Sequence, residues 1–85
     1  MDIPVKFYTT ARELFGKKQD IVILEQGESL EDLLDLLFET RINGSSRKEM
    51  DGRLVVFVNE VRAVDMRDVL KEGDRVSLFG AISNG

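Results

Sequence analysis

The sequence contains neither cysteine nor histidine. Without cysteine the chain has no disulfide, no thiol nucleophile and no thiolate metal ligand. Without histidine it also lacks the commonest general base and the commonest metal ligand. Carboxylates and lysines remain, but no glycine-rich phosphate loop accompanies them. The two absences together argue against a stand-alone enzyme and against a metal site.

Long apolar runs and a positive charge balance are missing as well. No run of about 18 apolar residues is present, and the N-terminus has no signal-peptide core, so we expect a cytoplasmic protein without membrane contact. Lysine and arginine number 12 against 16 acidic residues, which gives a net charge of −4 and argues against nucleic acid as the partner. The acidic balance fits plain solubility, and a partner with a basic surface is the alternative.

Short apolar runs predict five strands in a chain of 85 residues, which is long enough for one domain. The single proline, Pro4, lies near the start of the first run, where a strand can spare a hydrogen-bond donor. The first and last runs alternate apolar and polar residues, whereas the second and third are almost continuously apolar. The predicted strands cover residues 3–9, 19–24, 54–58, 61–64 and 75–79, with connections at 10–18, 43–52 and 65–70.

One helix is predicted between the second and third strands. Ser29 and Asp32 have the spacing of a capping box, and a stripe of apolar residues follows at helical spacing. The members of this stripe, which we assign to the core, are Leu30, Leu33, Leu34, Leu37 and Phe38. One helix against four or five strands predicts a two-layer α+β fold.

A single helix of this length covers only one face of the sheet. Residues 21–24 and 54–58 are nonetheless apolar on both strand faces. We therefore predict an exposed apolar patch of the kind that binds another protein. The alternative is that the connections at 10–18 and 43–52 fold over these side chains.

Four segments in order resemble the MoaD/ThiS family of sulfur carriers over the full length of the chain. Residues 5–8 and 11–16 are similar to the family's opening strand and loop, and the predicted helix follows in the expected place. Val58 and Asn59 resemble the family's Val-Asn turn. Residues 70–79 resemble its most distinctive stretch, which leads into the C-terminal tail.

The resemblance implies a β-grasp (ubiquitin-like) fold, with a mixed four- to five-stranded sheet and one main helix on one face. It implies a domain at 1–79 and a flexible tail at 80–85. A partner of the ubiquitin-activating type would adenylate the carboxylate of Gly85 with ATP, and a sulfur donor would convert it to a thiocarboxylate. The large subunit of molybdopterin synthase, or another acceptor, would then take the sulfur. No permanently bound cofactor or metal is implied.

The tail departs from the family pattern, which commonly reads Phe-Pro-Pro-Val-Ala-Gly-Gly. Asn84 replaces the penultimate glycine, and the loss of both prolines should loosen the tail. The resemblance implies that the tail enters a channel of the partner and that phenylalanines dock nearby. The tail residues are Gly80, Ala81, Ile82, Ser83 and Asn84. The candidate docking residues are Phe79, Phe57 and Phe7, for each of which an ordinary core position is the alternative.

Two other functions stay open at this point. A protein modifier would use the same activated carboxylate to form an isopeptide bond with a lysine. A degenerate β-grasp module would only bind a partner, and Asn84 together with the missing prolines favours it. Asp65 and Asp68 are spaced as a carboxylate pair but are better interpreted as turn and cap residues.

Overall fold

A computed structural model describes residues 1–41 and 54–80, with the backbone alone at residue 41. The chain first forms a hairpin of two strands with a short helix between them. The main helix follows, and three further strands come after it. The bounds are β1 Asp2–Tyr8, α1 Thr10–Phe15, β2 Gln19–Ile23, α2 Leu30–Arg41, β3 Leu54–Val58, β4 Val61–Arg62 and β5 Val76–Gly80. The predicted loop at 43–52 lies outside the described residues.

The described strands form one mixed sheet in the order β2-β1-β5-β3-β4. The two central strands β1 and β5 are parallel, with Phe7 opposite Leu78 and Tyr8 opposite Phe79. The other neighbouring pairs are antiparallel. The parallel pair needs a crossover connection, and the chain between β1 and β5 contains α2 and the remaining strands. This topology, with one main helix against a mixed sheet, is the β-grasp fold, and the predicted fold class is confirmed.

The main helix begins where the capping pattern predicts. The Ser29 backbone N–H donates to Asp32 Oδ2 at 2.8 Å, and the Asp32 N–H donates to Ser29 Oγ at 3.3 Å. These reciprocal bonds satisfy donors that the first helical turn leaves unpaired. The predicted apolar stripe of α2 is entirely buried. Every large side chain of that stripe therefore contributes to the core, as expected.

The core lies between α2 and one face of the sheet. On β1 the inward residues Ile3, Val5 and Phe7 are fully buried, while their neighbours Pro4 and Lys6 are exposed. The alternation arises because successive side chains of a strand point to opposite faces. Phe15 links the layers, since its ring centroid lies 4.5 Å from that of Phe7 and 5.4 Å from that of Phe38.

Three local predictions need correction. Residues 10–15 form α1, where we expected a connection without a helix. Ala11 and Phe15, four residues apart, are its two buried residues, and Gly16 ends it in the left-handed conformation. The fourth strand, predicted over residues 61–64, covers only Val61–Arg62, and residues 65–70 form a connection as expected. Gly80, which we assigned to the tail, is the last residue of β5, paired with Leu54.

Candidate functional site

The face of the sheet that α2 does not cover carries a cluster of aromatic side chains. Tyr8 and Phe79 stack with ring centroids 4.5 Å apart and planes 9° from parallel. The ring of Phe57 meets that of Phe79 edge-on at 5.4 Å. All three side chains are only partly buried, and we call them the aromatic patch. Aromatic groups of this kind dominate the energetics of many protein interfaces.

Strand register explains why the three rings meet. β1 and β5 run parallel with Tyr8 opposite Phe79, and β3 and β5 run antiparallel with Phe57 opposite Ser77. Side chains of directly opposite residues on one face are neighbours, and diagonal aromatic residues still reach each other. Phe79 immediately precedes Gly80, the last described residue before the tail. The aromatic patch therefore lies beside the point at which the chain leaves the sheet.

The three predicted docking phenylalanines separate into two groups. Phe57 and Phe79 lie together on the open face, where a partner can reach them. Phe7 is wholly buried against Phe15, so its assignment as a docking residue is wrong and the core alternative holds. Sequence reasoning missed Tyr8, although strand alternation already sets it on the face opposite Phe7.

The predicted exposure of apolar strand residues is confirmed on the edge strand β2. Ile21 is 55% exposed and Ile23 is 72% exposed. Their sequence neighbours Val22 and Leu24, on the opposite face of the strand, are buried. Helix α1 does not cover the open face, because its Ala11 and Phe15 pack into the core. The other predicted cover, residues 43–52, lies outside the described residues.

One member of the carboxylate pair considered in the sequence, Asp65, has a structural role. Asp65 Oδ1 accepts hydrogen bonds from Arg67 Nε at 3.1 Å and from the Arg67 backbone N–H at 2.9 Å. The side-chain hydrogen bond and then the backbone one lower the pKa of the Asp65 carboxyl below its ordinary value. The same pair raises the pKa of Arg67. Asp65 therefore holds a turn, and nothing in its geometry indicates a proton-transfer group.

Two kinds of feature are absent from residues 1–41 and 54–80. These ranges contain no group of three or more acidic side chains placed to hold a metal ion. Within them, no helix has the length and apolarity needed to cross a bilayer. The predicted tail positions from Ala81 to Gly85, which include the predicted carrier residue, lie outside the described part of the chain.

Solved structures of known proteins have the same fold. A putative molybdopterin converting factor subunit 1 from Pyrococcus furiosus matches with a TM-score of 0.80 and 23% identity, over 96% of this chain and 99% of that chain. SAMP1 from Haloferax volcanii matches with a TM-score of 0.74 and 23% identity, over all of both chains. A complex of subunits 1 and 2 of the molybdopterin-converting factor from Helicobacter pylori matches with a TM-score of 0.68 and 22% identity, again over all of both chains.

Sequence comparison gives two results. The chain has no match among curated proteins. The model of the ThiS family matches residues 5–85, which spans β1, the aromatic patch, Gly80 and the whole tail to Gly85. That match covers nearly the whole sequence and extends to the positions that the described structure does not reach. The chain belongs to the ThiS family.

Proposed function

We propose that this protein is a sulfur carrier that holds sulfur as a thiocarboxylate on the C-terminal carboxylate of Gly85. The observation that carries this proposal is the family match, which continues through the tail to residue 85. The complete absence of cysteine is in accord with it, because no side chain of this protein can hold a persulfide.

The chemistry requires two steps, both performed by partners. The Gly85 carboxylate attacks the α-phosphorus of ATP, and pyrophosphate leaves as the acyl-adenylate forms. Hydrosulfide or an equivalent sulfur donor then attacks the acyl carbon, AMP leaves, and one proton is released with the thiocarboxylate. Activation is needed because a carboxylate is a poor electrophile until its oxygen becomes part of a leaving group. The carrier is thus a substrate of its partners and does not itself catalyse a step.

The aromatic patch is the surface on which we expect the partners to dock. Its rings offer apolar area at small entropic cost, and Phe79 lies directly before the tail. The tail residues Ala81, Ile82, Ser83 and Asn84, which follow Gly80 at the end of β5, would lead into the partner's active-site channel. Asn84 tolerates unusual backbone angles better than most residues, so it is the substitution for glycine that best preserves such a path.

We further propose a partner of the ubiquitin-activating type, with ATP bound by that partner, and an acceptor resembling the large subunit of molybdopterin synthase. The names of the similar P. furiosus and H. pylori proteins favour the molybdopterin route over other sulfur acceptors. The H. pylori complex also pairs a small subunit with a second one, which is the kind of assembly that the proposal needs.

The intact mass of the protein tests the proposal directly. The protein is incubated with its cognate adenylating enzyme, ATP and a sulfide source. We expect the mass increase of one oxygen-to-sulfur exchange, and no increase for a variant that lacks Gly85. Because the chain has no cysteine, the added sulfur cannot reside on a thiol.

A control carrier that ends in Gly-Gly, treated with its own partner, shows that the reagents are active. If that control gains sulfur while this protein keeps its mass, the sulfur-carrier proposal is wrong. The remaining interpretation would be a β-grasp module that binds a partner without carrying sulfur.

Protein modification is a second candidate, and the similarity to SAMP1, a small archaeal modifier protein, favours it. The same acyl-adenylate would then be captured by a lysine amine to form an isopeptide bond. Mass spectrometry of conjugates from cells separates the two functions. Peptides with Gly85 joined to a lysine side chain of another protein would establish modification.

A further inference from the structure

Thr9 lies between β1 and α1 in a backbone conformation that a β-branched residue rarely adopts. Its φ is 53° and its ψ is −131°. Such strain persists only where the surrounding structure holds it, and it often marks a functional position. Thr9 precedes the first residue of α1, yet its side chain makes no capping hydrogen bond to that helix. The hydroxyl is directed to another part of the molecule.

The Thr9 hydroxyl binds the end of β5. Gly80 donates its backbone N–H to Thr9 Oγ1 at 3.1 Å. The same Oγ1 has two acceptors within reach of its proton, the carbonyl oxygen of Tyr8 at 2.7 Å and that of Gly80 at 3.3 Å. One side chain thus contacts both polar backbone groups of a residue 71 positions away. Those two groups belong to the last described residue before the tail.

Thr10 holds the same glycine from a second direction. A Cβ atom built on Gly80 would lie 1.4 Å from Thr10 Oγ1 and 2.7 Å from Thr10 Cβ. The backbone nitrogen of Ala11 would be 3.1 Å away. Gly80 itself is buried. Glycine is required here for space, because Thr10 occupies the position that a side chain of residue 80 would need and packs directly against the Gly80 backbone.

We propose that Thr9 and Thr10 form a clamp that fixes the Gly80 backbone and thereby positions the tail for reaction on the partner. This inference rests on the proposed carrier function and adds two positioning residues to it. Glycine has more backbone freedom than any other residue, so holding it removes the largest available source of disorder at this point. The aromatic patch docks the folded body, and the clamp sets where the chain begins its path from that body to Gly85.

The two roles predict different kinetic effects. Loss of the aromatic patch weakens docking and raises KM for the carrier. Loss of the clamp leaves docking unchanged but lowers the fraction of docked carriers whose tail is in place, so it lowers kcat. Loss of one hydrogen bond of this kind corresponds to about a fivefold change in such an equilibrium.

The test uses Thr9→Val, which keeps the β-branched shape and removes the hydroxyl. Thr9→Ser is the conservative variant that retains it. Thr40→Val is the matched control, since it removes a threonine hydroxyl that donates to the Leu36 carbonyl within α2. Adenylation by the cognate enzyme is followed by ATP–pyrophosphate exchange at varied carrier concentration. The exchange rate of the Gly80 amide proton is measured by NMR on the carrier alone.

We expect Thr9→Val to lower kcat about fivefold at unchanged KM and to speed Gly80 amide exchange by about the same factor. Thr9→Ser and Thr40→Val should resemble the wild type in both measurements. A wild-type kcat in Thr9→Val, or unchanged Gly80 exchange, overturns the clamp while leaving the carrier function intact. A wild-type protein that is not adenylated at all, beside an active control carrier, overturns both.

Discussion

At the scale of single residues, Gly80 is the one glycine of residues 1–41 and 54–80 at which an added Cβ would overlap other atoms. We expect Gly80→Ala to lower the free energy of unfolding by about 1–3 kcal/mol, because the new methyl group would overlap Thr10. Thr10 cannot relieve the overlap by rotating its hydroxyl away, since its own Cβ would still lie 2.7 Å from the new atom. Denaturant unfolding of the purified variant measures the loss.

A second substitution, at Thr10, provides the control for Gly80→Ala. Gly80→Ala should be less destabilising in a Thr10→Gly background, and the difference between the two backgrounds is the coupling between the residues. Ser77→Ala, on the same strand but on the open face, should change stability little. Equal destabilisation by Gly80→Ala in both backgrounds would show that Thr10 is not what excludes a side chain.

How far the site could be predicted also depends on individual residues. Strand alternation already separates Phe7 from Tyr8, and it could have assigned Phe7 to the core from sequence alone. Contact between Tyr8 and Phe79 could not be foreseen in this way, because it depends on the parallel register of two strands that are far apart in sequence. The Thr9–Gly80 contact was hidden for the same reason, since no local pattern links residues 71 positions apart.

At the scale of secondary-structure elements, the open face of β1, β3 and β5 should act as a docking surface. Phe79→Thr keeps the β-propensity of the strand but removes the central ring of the aromatic patch. We expect at least about a tenfold increase in KM for the carrier in adenylation, with kcat nearly unchanged, because buried aromatic anchors carry much of an interface's binding energy. Steady-state kinetics with the cognate adenylating enzyme measure both constants.

Val64→Thr is the matched control for the docking surface. Val64 is 91% exposed, and it lines a different hollow, with Leu30 and Val61 beside the start of α2. Its substitution should leave KM unchanged, and an unfolding curve for each variant confirms that both are folded. A KM increase of similar size in Val64→Thr would place the docking surface elsewhere on the molecule.

The success of prediction also differed between elements. The four longer strands and α2 were found because each has several apolar residues at the spacing of its own structure, and Ser29 marks the helix start. Helix α1 was missed because its six residues give little more than one turn of apolar spacing, with Ala11 followed by Leu14 and Phe15. Its formation depends on packing of Phe15 between Phe7 and Phe38, which is tertiary information.

At the scale of the whole molecule, the core of the described residues and the proposed reactive residue occupy different parts of the sequence. Every residue of the buried core cluster lies between Ile3 and Leu78. The proposed reactive atom, by contrast, belongs to Gly85. The body can therefore be optimised for stability and docking, while the chemistry depends on the last few residues. The clamp at Gly80 is the junction between these two parts.

This division predicts the behaviour of a chain that ends at Gly80. Removal of residues 81–85 should leave the midpoint of denaturant unfolding nearly unchanged, because the core cluster of residues 1–41 and 54–80, which runs from Ile3 to Leu78, is kept whole. Adenylation should be abolished, since the carboxylate would no longer reach the partner's reaction centre. The truncated chain should still dock through its aromatic patch and inhibit adenylation of the full-length carrier competitively.

A truncated chain that also carries Phe79→Thr is the control for non-specific inhibition. We expect it to inhibit adenylation of the full-length carrier at least about tenfold more weakly than the truncated chain with Phe79 does. If both truncated chains fail to inhibit while remaining folded, the tail itself provides the binding energy and the aromatic patch has no docking role. If the truncated chain instead sustains the cellular function of the full-length protein, the carboxylate is dispensable. That result would identify the protein as a binding module and exclude both carrier and modifier chemistry.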